Sequence, residues 1–425
     1  VSLPDETKWT KLDNASKIFP STYTEKDTKV FRFACELNEP VDPEALQKAV
    51  DATVDRFPLY QSVLRHGIFW FYLESSRLKP VVAEESLPVC APIYLGHKRN
   101  LLFRVSYYKH RINLEVFHVL SDGTGALWFM QTLVRQYLSL KSQDVCPDSP
   151  SQPGNPSISE TMDDSFEKHY SGTGAFGRKK SRGNAEPKNR AYRVRGTRLP
   201  ENRTALIEGA MSAKAVLALA HQYDTTLTVF LSALLICSIC SEMPARRKKH
   251  PVVLSVPVNL RQFFTSSTAR NFFSTMNVKY DFSSGTPDLE TVIGALGRHF
   301  QNELTEEQMA EKLDRFMRLA RNPFIRIMPL QLKNLLLRIG SARANRRFTS
   351  AISNVGRVSM PPEYECAIRQ LSVCVGGNCP KITLCTFRDR LVVSLTSPFR
   401  ETNIQRAFFR QLSDMGVDVE IASII

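Results

Sequence analysis

Phe117-His118-Val119-Leu120-Ser121-Asp122-Gly123 follows an alternating apolar run and opens directly into a helical pattern. Upstream, Leu101–Tyr108 is largely apolar, and Ile112, Leu114, Val116 and His118 share one face of a second run with period two. Two neighbouring strands are predicted there. Gly123-Thr124-Gly125 breaks the second strand. Beyond it Leu127, Met130, Val134, Tyr137 and Leu138 recur at three- and four-residue spacing, the stripe of an amphipathic helix. A strand end thus delivers His118 to a strand-to-helix turn, with Asp122 at the helix entrance, where exposed backbone donors and the helix dipole favour a carboxylate. A buried carboxylate four residues after a histidine can also pair with an arginine and hold the turn that orients the ring. Imidazole, with an ordinary pKa of about 6.5, accepts a proton near neutrality and returns it later, the service a hydroxyl or amine nucleophile needs.

At 425 residues with 43% hydrophobic content the chain can bury two substantial cores, and two domains are expected. The Pro- and Ser-rich stretch 146–164 resists helix and strand. It is followed by Arg178–Arg198, with nine lysines and arginines against the single acid Glu186. The expected division is an amino-terminal subdomain over 1–165, a basic linker over 166–200 and a carboxy-terminal subdomain over 201–425. The last opens on a strand near Arg203–Gly209 and a helix over Ser212–Tyr223. Nine cysteines, an odd number in a long chain, suit a reducing compartment. Cys237 and Cys240 sit in an apolar helical pattern, and Cys374 and Cys379 lack a partner pair at zinc-site spacing, so structural thiols and no metal are expected. VSLPDETKWT carries no basic-plus-apolar signal pattern, and Thr225–Cys240 is short and rich in Ser and Thr for a bilayer span. A soluble, cytoplasmic protein is the expectation.

The spacing of His118, Asp122 and Gly123 resembles the HxxxDG active-site signature of the chloramphenicol acetyltransferase superfamily. That superfamily includes peptide-synthetase condensation domains, plant acyltransferases, mycobacterial polyketide-associated acyltransferases and alcohol acetyltransferases. Trp9–Pro20 (WTKLDNASKIFP) resembles the amino-terminal segment of bacterial alcohol acetyltransferase-like proteins. A strand over Val30–Leu37, a helix over Pro43–Phe57, then Phe57-Pro58-Leu59 and Val63-Leu64-Arg65 follow the order of the superfamily's first half. Thr225–Cys240 is similar to its buried helix, Val256–Arg261 (VPVNLR) to its crossover strand, and Ser353-Asn354-Val355-Gly356 to its late strand and turn. The chain departs from condensation domains in having Phe117 where they carry a second histidine, and it lacks the DFGWG of the plant branch. A single histidine matches the plant and alcohol branches.

The resemblance implies an α/β (α+β sandwich) architecture of two chloramphenicol acetyltransferase-like subdomains with a substrate channel between them. In such a channel His118 is the general base and Asp122 orients its turn, pairing with Arg261 or with Arg65. Gly123 has a backbone role, because a side chain there would obstruct the turn. The oxyanion donor is Asn354 or Asn259. Phe263, Phe264, Phe272 and Phe273 wall the acceptor channel or fill the core. No cofactor is held permanently; acetyl-CoA or another acyl-CoA is the co-substrate and an alcohol or other small molecule the acceptor. Alternatives are a carrier-protein thioester donor serving a lipid, polyketide or amine acceptor, and a non-catalytic scaffold or lipid-binding protein. The net charge of +14 raises nucleic acid as a partner, yet the basic clusters lack interleaved aromatics or a reading motif, and none is expected. Attraction of phosphate-rich coenzyme A, or peripheral contact with an anionic membrane, remain as readings of that charge. GxxxxGK[ST] is absent, which disfavours ATP chemistry.

Overall fold

The strand predicted over Val30–Leu37 forms over those residues and pairs antiparallel with Arg111–Phe117, which carries the histidine turn at its end. These two are the centre of a five-stranded sheet with Phe103–Tyr108 and the short Ala83–Glu84 on one side and Ile368–Val375 on the other. The helices Pro43–Arg56 and Gly123–Lys141 pack together over it, the first capped by Asp42. The computed structural model describes residues 9–96, 98–141, 163–170, 190–283, 285 and 288–424.

A second sheet of seven strands runs in the order Phe273–Tyr280, Val252–Asn259, Ser350–Val358, Lys381–Phe387, Arg390–Ser397, Ala205–Ser212 and Glu420–Ile424. Behind it lies Leu227–Ser241, apolar on almost every side, and a helix with no polar face is stable only when enclosed. Thr226 caps its start, as the Thr-rich lead-in suggests. Leu289–Glu303 and Asn403–Asp414 flank it. A small sheet joins Trp9–Lys11, Phe71–Ser75 and Ser62–His66, and ties the amino-terminal segment to the first lobe. Two α/β lobes, each a sheet covered by helices, are therefore present, with one hydrophobic core apiece.

The expected domain limits need correction in two places. Ile368–Val375 lies within 201–425 but completes the first sheet, antiparallel to Val30–Leu37. The stretch expected as linker is packed at both ends. Asp164 caps the short helix Ser165–Lys168, and Phe166 buries its ring against Phe272 and Phe316 of the second lobe. Further on, the amide of Tyr192 donates to Pro251 O at 2.8 Å. An apolar ring and backbone donors find partners there that the local composition does not reveal. Residues 142–162 and 171–189, which hold most of the Pro-rich and basic stretches, lie outside the described residues.

Strand Arg111–Phe117 is buried on both faces rather than one. Ile112, Leu114 and Val116 belong to the first core, while Glu115, 1% exposed, enters a layer of charge. Its carboxylate accepts from Arg32 Nε at 3.0 Å, from the Cys90 amide at 2.8 Å and from Arg104. Arg32 also pairs with Glu85, whose other oxygen accepts from Arg111 at 2.7 Å. Buried carboxylates survive only when their lone pairs are filled in this way. Glu115→Ala leaves Arg32 without its deepest partner and is expected to cost about 3–5 kcal/mol of folding stability. Urea unfolding of the two proteins measures it.

Candidate active site

Asp122 is the hub of the site. Its Oδ1 accepts from the amides of Thr124 (3.1 Å) and Gly125 (3.0 Å), capping the helix Gly123–Lys141. Its Oδ2 accepts from Arg261 Nη1 (2.7 Å) and from the Phe272 amide (2.8 Å). The capping and arginine-pairing readings of this residue are thus both realised, one on each oxygen. Both charged side chains are only 7% exposed, so the pair is screened little by solvent. Arg65 instead pairs with Glu74. The remaining guanidinium donors of Arg261 go to Thr268 O and Arg270 O, clamping the loop that ends at Asn271.

Asn271 meets the histidine. Its Nδ2 donates to His118 O and to Ser16 Oγ, both at 2.9 Å, which leaves its Oδ1 facing His118 Nδ1 at 3.3 Å. An acceptor at Nδ1 places the ring proton there and leaves the lone pair on Nε2. Ser16 is held in turn by Asp13 and donates to Val119 O. The amino-terminal segment Trp9–Pro20 therefore forms the back of the site. Phe19 stacks on the imidazole at 4.7 Å, Phe31 lies at 4.7 Å and Phe273 at 5.9 Å. His118 as a residue keeps partial exposure, but its ring is surrounded by these aromatics. Desolvation lowers its pKa to about 4, opposed by the Asn271 hydrogen bond and the Asp122 charge. The ring is neutral at pH 7.

The other expected residues fall elsewhere. Asn259 accepts from the Arg261 amide and donates to Thr124 Oγ1 at 3.2 Å, so its amide braces the helix entrance. Asn354 is exposed. It donates to Thr228 Oγ1 at 2.9 Å and accepts from the Gly356 amide at 2.8 Å, holding the bulge at which Ser350–Val358 slips register against its neighbour. Gly356 has φ +86°, which suits glycine there. Phe272 is fully buried among Phe166, His169 and Phe264, whereas Phe273 reaches the histidine. The expectation for Gly123 is corrected: a Cβ there meets nothing within 4 Å. The crowded glycine is Gly125, whose Cβ would fall 1.9 Å from Ala269 O. Close approach of the 268–272 loop, unseen in the sequence, is the cause. Asn271 and Ser16 had no sequence signal beyond lying next to Phe272-Phe273 and within the amino-terminal segment.

Phe19 and Phe273 also line a cavity of about 1570 Å³ between the amino-terminal segment and the strand Phe273–Tyr280. Phe166, Met276, Leu313 and Phe316 line it with apolar surface, and Lys279, Arg315, Arg343 and Arg346 with positive charge. No group of three or more His, Cys, Asp or Glu able to hold a metal occurs among the described residues, and the eight cysteines among them are unpaired thiols.

Solved structures share this fold over nearly the whole chain. Polyketide synthase associated protein 5 from Mycobacterium tuberculosis superposes with a TM-score of 0.61 at 14% identity, over 97% of this chain and 98% of its own. F. sporotrichioides TRI101, solved with coenzyme A and T-2, gives 0.65 at 11% identity over 97% and 100%. The first condensation domain of the calcium-dependent antibiotic synthetase gives 0.62 at 14% identity over 97% and 98%. At these identities the likeness is one of fold, shared with trichothecene acetyltransferase and condensation-domain structures. No family model and no curated protein matches the sequence.

Two outcomes are expected. In NMR the His118 ring titrates near pH 4, not near 6.5; because the unfolded chain takes up the proton first, this residue's share of folding stability falls as pH drops from about 6.5 towards 4. Gly125→Ala, driven against backbone, lowers stability by about 2 kcal/mol or more in thermal melts, while Gly123→Ala is tolerated.

Proposed function

We propose that this protein transfers an acyl group, acetyl in the simplest case, from coenzyme A to an alcohol hydroxyl, with His118 as general base. The observation that carries the reading is the neutral imidazole held between the lobes, its Nδ1 opposite Asn271 and its Nε2 without a hydrogen-bond partner among the described residues. The acceptor hydroxyl gives its proton to Nε2 as its oxygen bonds to the thioester carbonyl carbon. The tetrahedral intermediate then expels the thiolate, which takes the proton back from the imidazolium. No covalent enzyme intermediate forms. Asp122, through the turn and its negative charge, steadies the imidazolium while it exists. Asn271 fixes which nitrogen acts. The likeness to TRI101 solved with coenzyme A supports a coenzyme A donor.

A carrier-protein donor is the second reading, favoured by a likeness to condensation domains of the same degree. Against it stands Phe117, fully buried beside Tyr94 where a second histidine would stand in those domains.

Purified protein is incubated with acetyl-CoA and a panel of alcohols and amines, and free thiol is followed beside His118→Ala. Acceptor-dependent release is expected, reduced by about 10²–10⁴-fold in the variant. Equal release from both rejects His118 as the base. Release only from acyl groups on a carrier protein moves the donor to the second reading, and binding without release from either makes the chain a scaffold.

A further inference from the structure

The helix Leu330–Ala344 is mounted with its polar side inward. Asn334 accepts from Ser21 Oγ at 2.6 Å, Arg338 Nε donates to Ser21 O at 3.0 Å, and Lys333, only 4% exposed, donates to Phe69 O at 2.8 Å over the ring of Trp70. Leu332, Leu335, Leu336 and Ile339, spaced three, one and three, make a single stripe that faces out, each at least 40% exposed. Just before it, Phe324 and Ile327 on Pro323–Ile327 are 75% and 69% exposed. The turn holding Ile68, exposed at 76%, is bonded to the helix start through Ile68 O and the Leu330 amide. Soluble proteins scatter such side chains singly; a stripe at helical spacing on an inverted helix marks a surface that something covers.

We infer that this face docks on an anionic lipid surface. Charge selects the occupant: residues 315–350 hold nine lysines and arginines, of which all but the inward Lys333 are exposed, and no aspartate or glutamate. Apolar side chains beside long cationic ones, with no acid among them, match a bilayer interface, where the former enter the acyl boundary and the latter reach phosphates. Among the described residues no single helix is long and apolar enough to cross a membrane. Arg343 of this helix and Arg346 just beyond it line the cavity, together with Leu319 of the helix Glu306–Arg321 and with Phe19 and Phe273, which lie against His118. The docking face stands whether or not His118 carries out the acyl transfer above.

Flotation of the full chain with vesicles tests it. Phosphatidylcholine vesicles containing about a third phosphatidylglycerol bind the protein and pure phosphatidylcholine vesicles do not, and binding weakens as salt rises towards about 0.5 M. Leu335→Ser with Ile339→Ser reduces binding by about tenfold or more with an unchanged melting temperature, since both side chains are already exposed. Arg343→Gln with Arg346→Gln weakens it and flattens its salt dependence. Failure to float with anionic vesicles, or undiminished binding by the Leu335/Ile339 variant, overturns the inference. So does a dimer in light scattering that the same variant dissociates, which assigns the face to a second copy.

Discussion

Four hydrogen bonds converge on the Asp122 carboxylate, and they come from three separate parts of the chain. Two are helix-start amides of the first lobe, one is the guanidinium of Arg261 and one is the backbone of Phe272 in the second lobe. Ionised acceptors bind more strongly than neutral ones, and a buried carboxylate cannot exchange these partners for water. The position of everything around the imidazole follows. Arg261, fixed by Asp122, clamps the carbonyls of Thr268 and Arg270; the clamped loop presents Asn271; and Asn271 selects the nitrogen that carries the proton. The lobes are thereby registered at the one place where a reacting atom has to be located to a fraction of an ångström.

A second constraint acts away from the histidine. Where the two sheets face each other, Arg32, Ala34, Ser372 and Cys374 of the first meet Leu206 and Glu208 of the second around a small void. Thr396 and Lys381 of the second sheet donate to the carbonyls at the end of Ile368–Val375, and Arg390 to Gln370. A dry hydrocarbon interface would hold the lobes as firmly, but directional bonds also set their mutual orientation. That orientation decides how Phe273 and Asn271 approach a ring mounted on the opposite lobe.

Much of this was legible in the residues. The helix that opens at Gly123 follows from its period, which is local, whereas strand 30–37, the helix from Pro43, the buried helix within 225–240 and the strand placed at 256–261, which runs over Val252–Asn259, were read through the family resemblance. That a buried Asp122 needs a cation was legible from chemistry; the resemblance offered Arg261 or Arg65 for it, and the structure has Arg261 there. Asn271, Ser16 and the crowding at Gly125 were not, since each depends on where a distant loop comes to rest. The burial of Glu115 has no local signal for a related reason: an acid in an alternating strand is ordinarily solvent-facing, and contacts from distant segments make it interior. Asn354 and Asn259 share a physical lesson. An amide near a site is as useful for bracing a bend as for meeting a substrate, and residue type does not distinguish the two.

The strand Ile368–Val375 pairs with Val30–Leu37 across almost the entire length of the polypeptide. During synthesis the first lobe therefore leaves the ribosome with one sheet edge open, and after Lys141 that edge waits until more than two hundred further residues, to Val375, have been translated. At about 5–20 residues per second the wait lasts on the order of half a minute. An unpaired edge beside exposed apolar side chains invites pairing with other nascent chains, so yield in a cell is expected to depend on chaperones that shield this edge.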